Sequence, residues 1–162
     1  MNRMLFVWAL LLGLAACKSS KETTNAANST GEIPADFALT LERSGCMGTC
    51  PAYMIHVQAD GKVFYDGYSH APLKGKHTKQ ISEARVKALI KALNDARFWE
   101  MKAKYDNPNI TDLPSTTLKA TLDGKSHSVL DRFESPDEVK NLSILVDEII
   151  GLDGFEPFNP GK

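Results

Sequence analysis

Apolar and polar positions begin to alternate regularly at Phe37. Phe37, Leu39 and Leu41 share one side while Thr40 and Glu42 share the other, a period of two that predicts a strand with one buried face. Residues 53–58 and 62–68 are rich in aromatic and β-branched side chains and flank Asp60-Gly61, which predicts a hairpin. Pairing Ala59 with Lys62 puts Tyr53, Ile55, Val57, Phe64 and Tyr68 on the core face. Met54, His56, Gln58, Val63 and Tyr65 then fall on the opposite face. Residues 76–81 read as a further short strand.

The period then changes. Val86, Leu89, Ile90 and Leu93 recur at i, i+3, i+4 and i+7 behind Ser82, an N-cap residue, so an amphipathic helix is expected to run to about Phe98. Residues 98–114 read as loop, with turn chemistry at Asp106-Asn107-Pro108-Asn109. A second hairpin is expected around Asp123-Gly124. Ser135-Pro136-Asp137-Glu138 opens a second helix, with serine as cap, proline at the first helical position and Glu138 closing a capping box. Its stripe is Val139, Leu142, Val146 and Ile149, and Gly151 stops it. The order β-β-β-(β)-α-β-β-α predicts an α+β domain over residues 36–151, a two-layer antiparallel sheet with both helices packed on one face. Residues 152–162 are expected to form an irregular tail. Hairpin-linked strands exclude a doubly wound parallel sheet.

Ahead of the domain, residues 1–16 carry Arg3 and then the apolar run 5–14, the layout of a secretory signal and too short to span a bilayer. The run ends in Leu14-Ala15-Ala16-Cys17, which resembles the lipobox of bacterial lipoproteins. That resemblance implies cleavage before Cys17, acylation of the cysteine (palmitate included) and a membrane anchor on the mature first residue. The alternative is a plain signal peptide cut after Ala16, leaving a free thiol. Several acyl chains on one residue hold a protein stably where one, at about 0.8 kcal/mol per methylene, does not. Lys18-Ser19 follows, not an aspartate of the kind that retains enteric lipoproteins in the inner membrane, so the expected location is the outer membrane, facing the periplasm. Residues 17–35 are the lipidated cysteine and a polar tether, with an r.m.s. reach of about 23 Å.

Formal net charge is −1. This gives no field for a nucleic-acid partner. The four histidines, His56, His70, His77 and His127, show no metal-ligand spacing. There is no Gly-x-Ser-x-Gly elbow, no Gly-x-Gly-x-x-Gly and no P-loop. Asp112 reads as a turn or cap residue. The expectation is a non-enzymatic domain with no cofactor, no metal and no catalytic residue.

Cys46 and Cys50 are the chemical question. Beyond the inner membrane a close pair is expected to be oxidised, and Gly45 and Gly48 relax the turn that carries it. A structural disulfide competes with a thiol-redox role and with a Cu(I) site drawing on Met47, Met54 or His56. The Cys-x3-Cys-Pro spacing is similar to that of Sco-type copper chaperones, in which the pair opens a helix; here Pro51 leads into a strand.

Leu41-Glu42-Arg43, Cys46-x-Gly48-x-Cys50-Pro51-x-Tyr53 and Asp60-Gly61-x-Val63-x-Tyr65-x-Gly67 together resemble a bacterial family, domain of unknown function 6438. Thr111-Asp112-Leu113-Pro114 and the Gly124 hairpin extend the likeness from about residue 37 to residue 150. The resemblance implies a secreted or lipid-anchored domain and no defined activity. The functional expectation is an envelope lipoprotein that binds an unidentified envelope partner or supports the envelope, with thiol-redox or copper handling through Cys46 and Cys50 as the alternative.

Overall fold

A computed structural model describes residues 31–161. The signal sequence, Cys17 and the tether as far as residue 30 lie outside the described residues. The elements run β1 (Ala38–Arg43), β2 (Tyr53–Gln58), β3 (Lys62–Gly67), β4 (Gly75–Gln80), α1 (Glu83–Asp95), a 3-10 turn (Phe98–Glu100), β5 (Lys104–Tyr105), β6 (Thr116–Leu122), β7 (Lys125–Asp131), α2 (Asp137–Ile150) and β8 (Glu156–Pro157). The strands form one eight-stranded sheet in the order β5-β7-β6-β1-β2-β3-β4-β8. The class is α+β.

The sheet is mixed, not antiparallel throughout as expected. β5 pairs parallel to β7, joining Lys104 to Leu130 and Tyr105 to Asp131; it is entered from α1 and the 3-10 turn and left through the loop to β6, so no hairpin joins it to β7. At the other edge β8, inside the tail expected to be irregular, pairs with β4 at His77 and Thr78.

Burial alternates along the central strands. Leu39, Leu41, Ile55, Val57, Val63, Tyr65, Leu118, Ala120 and Val129 share one core with Val86, Leu89 and Leu93 of α1 and Val139, Leu142, Val146 and Ile150 of α2. Each such large side chain withdrawn from water contributes roughly 1.5–3 kcal/mol. The intervening positions, among them Thr40, Glu42, Met54, His56, Phe64 and Asp66, stay partly or fully exposed.

The β2–β3 register corrects the expected one. Gln58 and Lys62 bracket a three-residue loop, so Val57 faces Val63, His56 faces Phe64 and Ile55 faces Tyr65. Gly61 sits at φ +82°, its N–H bonded to the Gln58 carbonyl, and the Asp60 carboxylate accepts from the Lys62 N–H. A three-residue hairpin with a left-handed glycine adds one residue to the loop, and a one-residue slip turns every β3 side chain over. Val63 and Tyr65 are therefore core, and Phe64 shares the open face with His56. The second hairpin has the expected two-residue turn, Asp123 and Gly124 both at positive φ, with both N–H groups donating to Asp36.

α1 begins as expected, Ser82 Oγ accepting from Arg85 N–H. α2 does not. Pro136 occupies the cap in an extended conformation, and the buried Ser135 hydroxyl has no hydrogen-bond partner among the described residues. The helix starts one residue later than the capping box requires, so Ser135 lies one position too far from the free N–H groups. Asp137 and Glu138 in the first turn complement the helix dipole instead.

Candidate functional site

The connection between β1 and β2 is the Cys46–Cys50 loop, closed by a disulfide with the Cα atoms 5.5 Å apart. Three neighbours hold it. On one flank Ser44 N–H donates to the Ser115 carbonyl at 2.9 Å and Ser115 N–H donates back to Ser44 Oγ at 2.8 Å. At the tip Met47 N–H donates to the Asp112 carboxylate at 3.1 Å, which makes Asp112 a cap, as its sequence context suggested. On the exit side Ala52 N–H donates to the Ser69 carbonyl and Tyr68 N–H to the Ala52 carbonyl. The 106–112 segment is itself tied down by Arg132, which pairs with Asp106 at 2.9 Å and donates to the carbonyls of Ile110 and Thr111. Lys104 and Arg132 together hold the Asp106 carboxyl below its ordinary range. Two segments 65 to 71 residues apart in the chain thus meet at one end of the sheet.

Directly inside this loop lies a polar cluster. Arg43, last in β1, faces Tyr53, first in β2. The Arg43 guanidinium donates to Tyr53 Oη at 2.9 Å, to Thr116 Oγ1 at 2.9 Å, and through Nη2 to Asp147 Oδ2 at 2.6 Å. Tyr53 Oη, accepting from Arg43, donates to the Asp147 carboxylate at 3.0 Å. The cluster joins the ends of two central strands to the C-terminal part of α2. Tyr53 also stacks on Tyr65, ring centroids 5.5 Å apart.

Its electrostatics favour a strut. Burial opposes the Arg43 charge, but the Asp147 carboxylate outweighs it and the guanidinium pKa rises. Burial, and then the Asp147 charge, push the Tyr53 phenol up to about 12. At neutral pH that phenol keeps its proton for Asp147 and supplies no base or nucleophile. The raised value has a consequence for stability. The unfolded phenol ionises near pH 10 and the folded one near 12, so between those values the unfolded state binds fewer protons and stability falls as pH rises. The expected loss is roughly 2–3 kcal/mol. Tyr53→Phe, compared with the parent in urea titrations from pH 8 to 12, should lack that component of the slope.

A second polar side chain points inward from β4. Lys79 Nζ donates to the carbonyls of Ile150 at 2.6 Å, Gly151 at 2.8 Å and Asp153 at 3.1 Å, and lies over the Phe155 ring. Arg85 also reaches the Ile150 carbonyl. A cation is favourable where a helix leaves its last carbonyls free. Burial, then the Arg85 charge, lower the Lys79 pKa.

The structure brings Cys46, Cys50, Met47 and Asp112 together and leaves the histidines apart. His56 Nδ1 lies 2.9 Å from Thr40 Oγ1 on the open face, and His127 Nε2 donates to the Met101 carbonyl. Among the described residues no three His, Cys, Asp or Glu side chains gather as a metal site. Arg43 and Asp147 went unread as site residues, although the alternation Leu39, Leu41, Arg43 already aims the guanidinium inward.

The disulfide leads into β2 and not into a helix, so the helix N-terminus that lowers thiol pKa in redox motifs is not supplied by the segment after Pro51. Closing so short a loop stabilises the fold by about 2 kcal/mol in the chain-entropy estimate. The double variant Cys46→Ser/Cys50→Ser is expected to lose about that much on urea unfolding, and the native pair to show a reduction potential below about −300 mV. A potential near −200 mV would mark the pair as an exchanging one.

The family described as domain of unknown function (DUF6438) matches residues 37–150. The chain belongs to that family. No curated protein matches it.

Proposed function

We propose that this protein is an envelope lipoprotein, anchored in the outer membrane through lipidated Cys17 and facing the periplasm, whose α+β domain acts by binding an envelope partner and not by catalysis. The observation that carries the reading is where the domain spends its convergent polar groups. Arg43, Tyr53, Thr116 and Asp147 are bonded to one another, and the phenol holds its proton to about 12. They brace the strands beneath the disulfide loop and offer no poised acid or base. The layering we infer, both helices over one sheet face, fits the shared core and directs the loop end outward from a rigid support.

The reading is tested in cells with the full-length chain. Metabolic labelling with a palmitate analogue should mark the protein and vanish in Cys17→Ser, and membrane fractionation should place the label in the outer membrane. Amine cross-linking of the anchored protein should trap a discrete protein complex. Turnover of a defined substrate by the purified protein, abolished by a point substitution, would overturn the proposal.

A further inference from the structure

Met47 is 90% exposed and Tyr68 54% exposed, the two most exposed large apolar side chains of the domain, and both belong to the disulfide end of the sheet. Met47 does not hang on a slack loop. Its segment is closed by the Cys46–Cys50 bridge, its own N–H is bonded to Asp112, the Gly48 N–H is bonded to Cys46 Sγ, and Ser44 is locked to Ser115. Holding a flexible thioether out into water on a backbone fixed at so many points lowers the ordering cost of inserting it elsewhere.

The surroundings are acidic. Glu42 and Asp66 lie on the open face on either side of Met54, as register partners in β1, β2 and β3, and Asp112 sits at the tip. Partial burial, and then the Asp66 and Glu42 charges, push the Tyr68 phenol up. Lys76, across from Asp66 in β4, is the cation in register with them, exposed Lys74 precedes it in the β3–β4 connection, and Arg43 is engaged inside by Asp147.

We infer that the disulfide-closed loop is the recognition element of this domain, presenting Met47 to an apolar pocket of a protein partner whose rim is basic, complementary to Glu42, Asp66 and Asp112. This rests on the binding role proposed above and names the surface that performs it. An anionic bilayer is the disfavoured occupant, because the acidic rim would be repelled by its surface charge.

The test uses the full-length, lipidated protein in cells with a photo-cross-linking residue at position 68 or, as control, at position 87 on the exposed side of α1. Position 68 should give a discrete protein adduct and position 87 none. In a Met47→Leu background the adduct should persist, and in Met47→Asp it should fall about tenfold or more, as for a central anchor. Because Met47 is so exposed, Met47→Asp should melt with the parent, which separates lost binding from lost folding. An adduct at position 68 that is indifferent to Met47→Asp overturns the inference and leaves the binding role standing. A lipid adduct in place of a protein one overturns it in favour of membrane contact. Absence of any protein complex, by amine cross-linking as well, overturns both.

Discussion

Arg43→Ala is expected to lower the unfolding free energy by about 3 kcal/mol, measured by urea denaturation of the non-lipidated chain. The side chain makes no simple surface pair. It donates to Tyr53, Thr116 and Asp147 at once, and Arg43 and Asp147 are only 21% and 28% exposed. Truncation leaves the Asp147 carboxylate and the Tyr53 hydroxyl short of partners in a largely dry site, and that orphaned charge dominates the cost. The residual exposure keeps the figure at the low end for a buried pair. Arg43→Lys should recover only part of the loss, because an ammonium cannot span three acceptors set by a planar fork. A double-mutant cycle with Asp147→Ala should show strong coupling. A loss under about 1 kcal/mol would place the cluster with ordinary surface ion pairs.

Lys79→Met is the second large effect, about 2 kcal/mol. Methionine keeps most of the apolar stem and removes the ammonium, so the Ile150, Gly151 and Asp153 carbonyls lose one shared donor. Arg85 remains on Ile150 and limits the damage. The expected signature is local. Amide exchange should quicken over the last turn of α2 and through β8, while the strand ends around Arg43 keep their protection. Uniform loss of protection across the sheet would show that Lys79 supports the whole domain and not the end of one helix.

Most elements of this fold are legible in local chemistry. The alternation from Phe37 to Leu41, the i, i+3, i+4, i+7 stripe of α1, the Asp-Gly turns and the Gly151 stop each act within a few residues, which is where propensity operates. Where reading failed, the deciding term was nonlocal or a matter of one residue. Asp60-Gly61 marks a turn equally well with two or three loop residues, yet the extra one moves Tyr65 into the core and Phe64 out of it. Ser135-Pro136 looks like a cap, but the helix begins at Asp137 and strands the serine. The parallel β5 and the short β8 are two residues each, too brief to leave a periodic signal.

The candidate site divides the same way. The Cys46–Cys50 pair could be read from spacing, glycine content and an expected oxidising compartment. Its meaning could not, because the groups that hold it come from distant stretches of chain: Ser115 and Asp112 from the loop before β6, Ser69 from the loop after β3, and Asp147 of α2 through Arg43 and Tyr53. By itself the sequence determined the hairpins, the two helices and the residues most exposed to question. Only the tertiary structure decided which partners Arg43 meets, that Lys79 closes a helix from a neighbouring strand, and that Met47 stands on a braced loop. A side chain's role depends on which partners remain once apolar faces have been buried together, and that is set by the whole core at once.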